Sequence, residues 1–349
     1  MDLHLSELQV ELSNSLDRFL SQECTIQRVR AAEASGFDRP MWDGIVDMGA
    51  HCIGLPSSHG GFDASLLDVA VCSELYGKYL APVPVIESVV VGRLLAACAT
   101  ASALAMLRAL VEEGKVIALA LSPLTTSRRQ LVRTASLTRT IVALEGDQIV
   151  AFISKKPIER VQNMARDASG LVDFDGPFDR EVLDGSAQAK ARFAQAITEW
   201  KALSASMLSG LGEQALRIGA DYTKEREAFG RPIGSFQAVA HRLADAATAI
   251  EGAKLISRAA AAAAVESPER FATLASMAFI WSSLSSQRSA EDALHVHGGY
   301  GFTLEYDIQL YVRRAKAWPL GLHDVRAEYQ QVASDLFDKP DRMKQWIFS

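Results

Sequence analysis

The chain has 349 residues, 49% hydrophobic and 22% charged, with a formal net charge of -6. These proportions describe an ordinary globular protein, and the acidic balance argues against a broad nucleic-acid footprint. Cys24, Cys52, Cys72 and Cys98 are scattered, with no CxxC pair and no His pair at ligand spacing; buried thiols in a reducing compartment are expected, not a disulfide framework or a metal site.

Met1-Asp2-Leu3-His4 lacks the basic start and apolar run of a signal peptide. The most apolar run, Leu104 to Leu121, is broken by Arg108, Glu112, Glu113 and Lys115, so a cytoplasmic protein with no membrane span is expected. Leu5, Leu8, Leu12, Leu16 and Phe19 fall at helical spacing and predict an amphipathic first helix. Pro40 suits the first turn of a following helix. Gly54-Leu55-Pro56-Ser57-Ser58-His59-Gly60-Gly61 reads as a loop. Further helices are predicted from Ala64 to Leu80 and from Pro84 to Ala97, with a short one ending near Gly114.

The texture then changes. Arg128-Arg129-Gln130-Leu131-Val132-Arg133 reads as a solvated loop or strand edge. Thr140 to Leu144 and Gln148 to Ile153 are β-branched, apolar runs around Glu145-Gly146-Asp147, a hairpin signature. From Gln188 onward the pattern is helical again. Ile197, Trp200, Leu203, Met207 and Leu211 form one stripe. Leu243, Ala246, Ile250 and Ala253 form a second, and Leu274, Met277, Trp281 and Leu284 a third. With a fourth helix after Tyr306, these predict an antiparallel bundle. The fold class expected is mainly α with a small β domain: an N-terminal helical domain over 1–115, a reduced middle β domain over 116–187 and a C-terminal four-helix bundle over 188–349.

Two motifs lie inside the bundle. Arg226-Glu227-Ala228-Phe229-Gly230-Arg231-Pro232-Ile233-Gly234-Ser235-Phe236-Gln237 comes first, and His295-Val296-His297-Gly298-Gly299-Tyr300-Gly301-Phe302 follows. In this order, and within this domain sequence, they resemble the C-terminal domain of the acyl-CoA dehydrogenases. Met48-Gly49-Ala50, Leu55-Pro56, Gly60-Gly61-Phe62 and Glu74-Leu75-Tyr76-Gly77 are similar to that family's first domain.

The resemblance implies an oxidoreductase that takes a proton from the α carbon of an acyl-CoA thioester and a hydride from the β carbon, using FAD. That chemistry needs a positioned carboxylate, an oxyanion clamp and a hydride acceptor. The resemblance also implies that each FAD lies across a subunit interface. Arg226 then matches the arginine that reaches a neighbour's pyrophosphate, with Phe229, Ile233 and Gln237 along the same stretch. His295, Gly298 and Gly299 match the turn beside the ADP portion. By residue type alone, Arg226 also suits an ion pair with Glu225 or Glu227, and the glycines suit a helix end.

The catalytic residues are missing. Counting on from Arg313-Arg314-Ala315-Lys316, the family's glutamate falls at Leu322. Its alternative position, counted back from Arg226, falls at Trp200. Glu199 is adjacent but about 100° around a helix, which reads as a solvated helix-face charge. The family's Thr-Glu-Pro segment becomes Leu121-Ser122-Pro123, with Ser122 expected to face solvent, and the glycine turn after it is absent.

The pattern looks like the small, base-lacking subunits of heteromeric steroid-CoA dehydrogenases of sterol-degrading bacteria, which form α2β2 tetramers with a catalytic homologue. No catalytic residue and no metal ligand is assigned to this chain. The partners implied are that homologue, an acyl-CoA and an electron-transfer flavoprotein, with no nucleic acid and no membrane. Two other readings remain open: a homo-oligomeric dehydrogenase with Glu199 or Asp324 as a displaced base, and a non-redox scaffold on the same fold.

Overall fold

The computed structural model describes residues 5–322 and 325–338. Its contacts divide into two units. One comprises residues 5–72 and 79–200; the other comprises 73–78 and the described residues from 201 onward.

The first unit opens with α1 (Glu7–Glu23), α2 (Ile26–Ala32) and α3 (Arg39–Asp47). Their starts are fixed by side chains that accept otherwise orphaned N–H groups: Ser6 and Gln9 form a reciprocal capping box, Thr25 caps α2, and Asp38 caps α3 with Pro40 in its first turn. The first helix differs from its predicted stripe. Leu8 is exposed, and the buried positions are Gln9, Leu16 and Leu20. Gln9 is tolerated inside because its Nε2 donates to Asp68 at 2.8 Å.

Next come α4 (Leu66–Lys78), α5 (Val85–Cys98) and α6 (Ala101–Glu113). The last is capped by Thr100 and stopped by Gly114 in the left-handed region at φ +60°. All four cysteines are free and buried, and burial pushes the Cys52 and Cys98 thiols up to about 11.

The strands are β1 (Ala118–Leu119), β2 (Arg129–Val132), β3 (Thr140–Glu145), β4 (Gln148–Ser154), β5 (Gly170–Asp173) and β6 (Phe178–Asp184). They form a four-stranded sheet in the order β1-β3-β4-β6 and a two-stranded β2-β5 pair. The predicted hairpin is present, with Thr140 opposite Ile153 and Glu145 opposite Gln148. Phe152 and Phe174 pack edge to face at 5.0 Å within a core that includes Ile141, Val150 and Val172. The arginine-rich segment is not simply solvated. Its alternation puts Gln130 and Val132 inside, Arg128 pairs with Glu145 and Asp175, and Arg133 meets buried Glu87 at 3.1 Å.

The second unit is helical. It contains the greater part of α7 (Ala189–Glu225), followed by the short strands β7 (Glu227–Ala228) and β8 (Arg231–Pro232). After these come α8 (Gln237–Glu266), α9 (Pro268–His297), α10 (Ile308–Ala317) and α11 (Val325–Phe337). Small residues set its close contacts. A Cβ at Gly210 would fall 1.9 Å from the Glu74 carbonyl oxygen, so only glycine lets the last turn of α4 lie against α7. The Ser289 hydroxyl donates to the Gly212 carbonyl at 2.8 Å.

The predicted stripe on α9 faces the wrong way: Trp281 and Leu284 are about half exposed. The buried side runs instead through Phe271, Ala275, Ala278, Phe279, Ser286 and Ala290, because the closest helix contacts require small side chains.

Candidate functional site

The Arg226 segment and the Gly298 turn each follow the end of a long helix. α7 stops at Glu225, and the Arg226 N–H still donates to the Tyr222 carbonyl at 2.9 Å. The chain then turns through β7 and β8, and the Ile233 N–H returns to the Arg226 carbonyl at 2.8 Å. The hairpin tip is Phe229-Gly230, both in the left-handed region at φ +52° and +77°. This leaves Phe229 96% exposed, with its ring edge-on to Phe236 at 6.1 Å between centroids. Gln237 opens α8 and is exposed, and Ile233 is half-buried in the 3₁₀ turn before it.

Arg226 is exposed. Among the described residues its guanidinium makes no ion pair, with Glu225, Glu227 or any other carboxylate. Arg231 differs: its guanidinium lies 4.3 Å over the Phe236 ring.

α9 ends at His297, and Gly298 takes φ +62°, ψ -143°, a conformation reserved for glycine. A Cβ at Gly298 or Gly299 would meet nothing within 4 Å. The chain's own packing therefore does not demand glycine at 299, and the open space beside the turn is what a close-approaching ligand requires. His295 is exposed on the last turn. Three residues earlier Asp292 is buried. Burial pushes its carboxyl up, against the opposing pull of Arg242, Arg288 and His295. Arg242 approaches it to 3.5 Å and Arg288 to 3.7 Å, so the carboxylate beside the turn is offset by two cations.

The two positions that the resemblance gives for a catalytic glutamate, Trp200 and Leu322, carry no carboxylate. Trp200 is 1% exposed, a core side chain. Leu322 ends a 3₁₀ turn, Trp318–Leu322, and is half-buried. Asp324 lies outside the described residues.

Glu199 is not the solvated charge its sequence position suggested. It is buried, and Arg93 grips it with two hydrogen bonds, Nε to Oε2 at 2.8 Å and Nη2 to Oε1 at 3.1 Å. Gln195 donates to Oε1 at 3.2 Å, and the Arg93 Nη1 is anchored on the Gly54 carbonyl at 2.8 Å. The carboxylate opens onto a cleft of about 550 Å³ with His59, Leu94 and Ala196 in its wall. Both of its oxygens are engaged by fixed donors, an arrangement that holds an anion in place. Ser122 is likewise buried, because Gln130 Nε2 donates to its carbonyl at 3.0 Å and draws the loop inward.

Two family models match the chain. One, described as acyl-CoA dehydrogenase, N-terminal domain, covers residues 6–106. The other, acyl-CoA dehydrogenase, C-terminal domain, covers residues 190–321. Together they span more than half of the sequence.

The chain belongs to the acyl-CoA dehydrogenase family.

Its helical domain, small sheet and helical bundle are the acyl-CoA dehydrogenase fold. A relative named acyl-CoA dehydrogenase IpdE2, from Mycobacterium tuberculosis, is 29% identical over 89% of this chain and 92% of its own length. Among solved structures, the ChsE4-ChsE5 complex from Mycobacterium tuberculosis superposes with a TM-score of 0.87 at 23% identity, covering 97% of this chain and 100% of that one. A variant of the Tcur3481-Tcur3483 steroid ACAD gives 0.84 at 24% identity, covering 95% and 98%.

Acyl-CoA dehydrogenases are FAD-binding oxidoreductases, and the residues present suit half of that cofactor. A guanidinium that makes no ion pair among the described residues can donate charge-assisted hydrogen bonds to a pyrophosphate, and the glycine turn leaves room for its approach. Among the described residues no cluster of three or more His, Cys, Asp or Glu is placed to hold a metal, and no helix is long and apolar enough to cross a membrane.

Sequence reasoning missed a ring stack beside these two segments. Tyr222 and His297 stack at 4.0 Å, and Tyr306 meets them edge-on. His297 lies inside the second motif and Tyr222 four residues before Arg226, but nothing in the sequence pairs them.

Proposed function

We propose that this chain is the non-catalytic subunit of a heteromeric acyl-CoA dehydrogenase. It supplies the clamp for the ADP half of an FAD whose ring is held by a homologous catalytic partner, in an α2β2 assembly. One contrast carries this reading: among the described residues Arg226 makes no ion pair, Phe229 is exposed and a Cβ at Gly298 or Gly299 would meet nothing, while the two positions the family resemblance gives for a base hold Trp200 and Leu322.

In the assembly, Arg226 meets the pyrophosphate, and Gly298 and Gly299 let the backbone come close to it. Phe229, Ile233, Gln237 and His295 line the same stretch. When bound, FAD would supply the hydride acceptor for the β carbon of the acyl-CoA, and the base for the α proton would come from the partner rather than from this chain. A steroid side-chain acyl-CoA is the substrate class favoured, supported by the likeness to a steroid ACAD. An electron-transfer flavoprotein is the acceptor implied by the family.

The test is Arg226→Ala in the co-expressed complex. Losing a charge-assisted contact to a diphosphate costs on the order of 2 kcal/mol, about thirtyfold in affinity. The variant complex should therefore assemble but lose FAD on dialysis. Unchanged flavin content would remove the clamp and favour the scaffold reading.

A further inference from the structure

The clamp consists of two loops far apart in sequence, and a ring stack joins their roots. Gly219 on α7 faces Ala293 on α9, where a Cβ would lie 2.8 Å from the alanine Cβ. Moving three residues along α7 and four along α9 stays on the same faces and reaches Tyr222 and His297. Their rings lie parallel, 4.0 Å between centroids and 20° between planes.

His297 is buried, and its Nδ1 lies 2.7 Å from the Ala293 carbonyl. A carbonyl only accepts, so Nδ1 carries the proton and the ring is fixed in orientation. Tyr306 meets Tyr222 at 6.3 Å and 85°, and His297 at 5.6 Å and 75°. Tyr300, in the turn itself, lies 5.9 Å from Tyr306. Each partner of the stack is directly coupled to a clamp element. The Tyr222 carbonyl accepts the Arg226 N–H, and His297 immediately precedes Gly298.

We propose that Tyr222 and His297, backed by Tyr306, are positioning residues: their stack sets the separation between Arg226 and the Gly298-Gly299 turn, and so the width of the diphosphate clamp. The inference rests on the proposed function, but it makes a separate claim. A clamp of correct residues at the wrong width loses the cooperation between cation and backbone donors.

The experiment titrates ADP onto the co-expressed complex, stripped of flavin, by calorimetry. Tyr222→Leu and His297→Leu remove a ring; Tyr222→Phe and His297→Phe keep one. Leucine variants should bind ADP at least tenfold more weakly at unchanged helical content, and phenylalanine variants should recover affinity to within about threefold. Should a leucine variant not fold, Tyr306→Leu, which removes only the edge-on ring, takes its place with the same expectation. If Arg226→Ala weakens binding while the ring-removing variants match wild type, the positioning role is overturned and the clamp stands. If wild type binds no ADP, or Arg226→Ala is without effect, both fall.

Discussion

A carboxylate one register off on a helix looks about 100° away from its neighbour, and Glu199 shows the result. Next to Trp200, where the family allows a base, it turns to Arg93 and is locked from two sides. Glu199 is buried while Arg93 keeps about a third of its side-chain surface. Removing the arginine leaves the carboxylate stranded, at a cost on the order of 3 kcal/mol. Arg93→Ala should lower the urea midpoint strongly, and Arg93→Ala with Glu199→Ala should recover part of the loss, because the stranded charge is gone. Glu199→Gln should alter stability but leave flavin content of the complex unchanged. A loss of turnover at unaltered stability would instead make Glu199 a base.

At the scale of elements, what was legible followed local chemistry. Pro40, Gly114 and Glu145-Gly146-Asp147 each carry their own instruction, and the helix start, helix end and hairpin form where expected. The two motifs stood out only through their order and their resemblance to a family, since an arginine near a turn and a double glycine after a helix are each common. The orientation of α9 was not legible. Periodicity favours bulky apolar residues, but the face of α9 that packs closest is serine- and alanine-rich, and Trp281 stays half outside with its Nε1 donating to the Ala249 carbonyl at 3.0 Å. The Tyr222–His297 stack was invisible because it is a contact between helices distant in the chain.

The joint between β6 and α7 yields a pH prediction. Burial pushes the Asp184 carboxyl up, but the Ser186 N–H at 2.8 Å, the Ser186 hydroxyl and the Arg192 guanidinium at 2.5 Å outweigh it and hold it below the usual range. A carboxyl depressed in the fold stabilises above its unfolded value of about 3.9 and loses that contribution as pH falls through the folded value. Asp184→Asn should therefore be less stable than wild type at pH 7, with the gap narrowing below about pH 4. A gap independent of pH would show that the joint is held by hydrogen-bond geometry alone.

For the molecule as a whole, the account is one of division. On the proposed function, the chain keeps the surfaces that meet a neighbour's cofactor and has filled the positions that would work on its own. A bundle that leaves Phe229, Phe302, Leu304 and Trp281 in solvent has apolar surface to cover, consistent with a subunit whose stability depends on assembly. The central claim is tested most directly by the visible absorption spectrum of the chain purified alone, beside that of the chain co-expressed with a catalytic acyl-CoA dehydrogenase subunit. The account predicts no flavin bands from the lone chain and a yellow complex holding about one FAD for each pair of unlike chains, as a site shared across the interface requires. A lone chain that is yellow and bleaches with an acyl-CoA would contradict it, and would mean that this subunit holds a flavin and a base of its own.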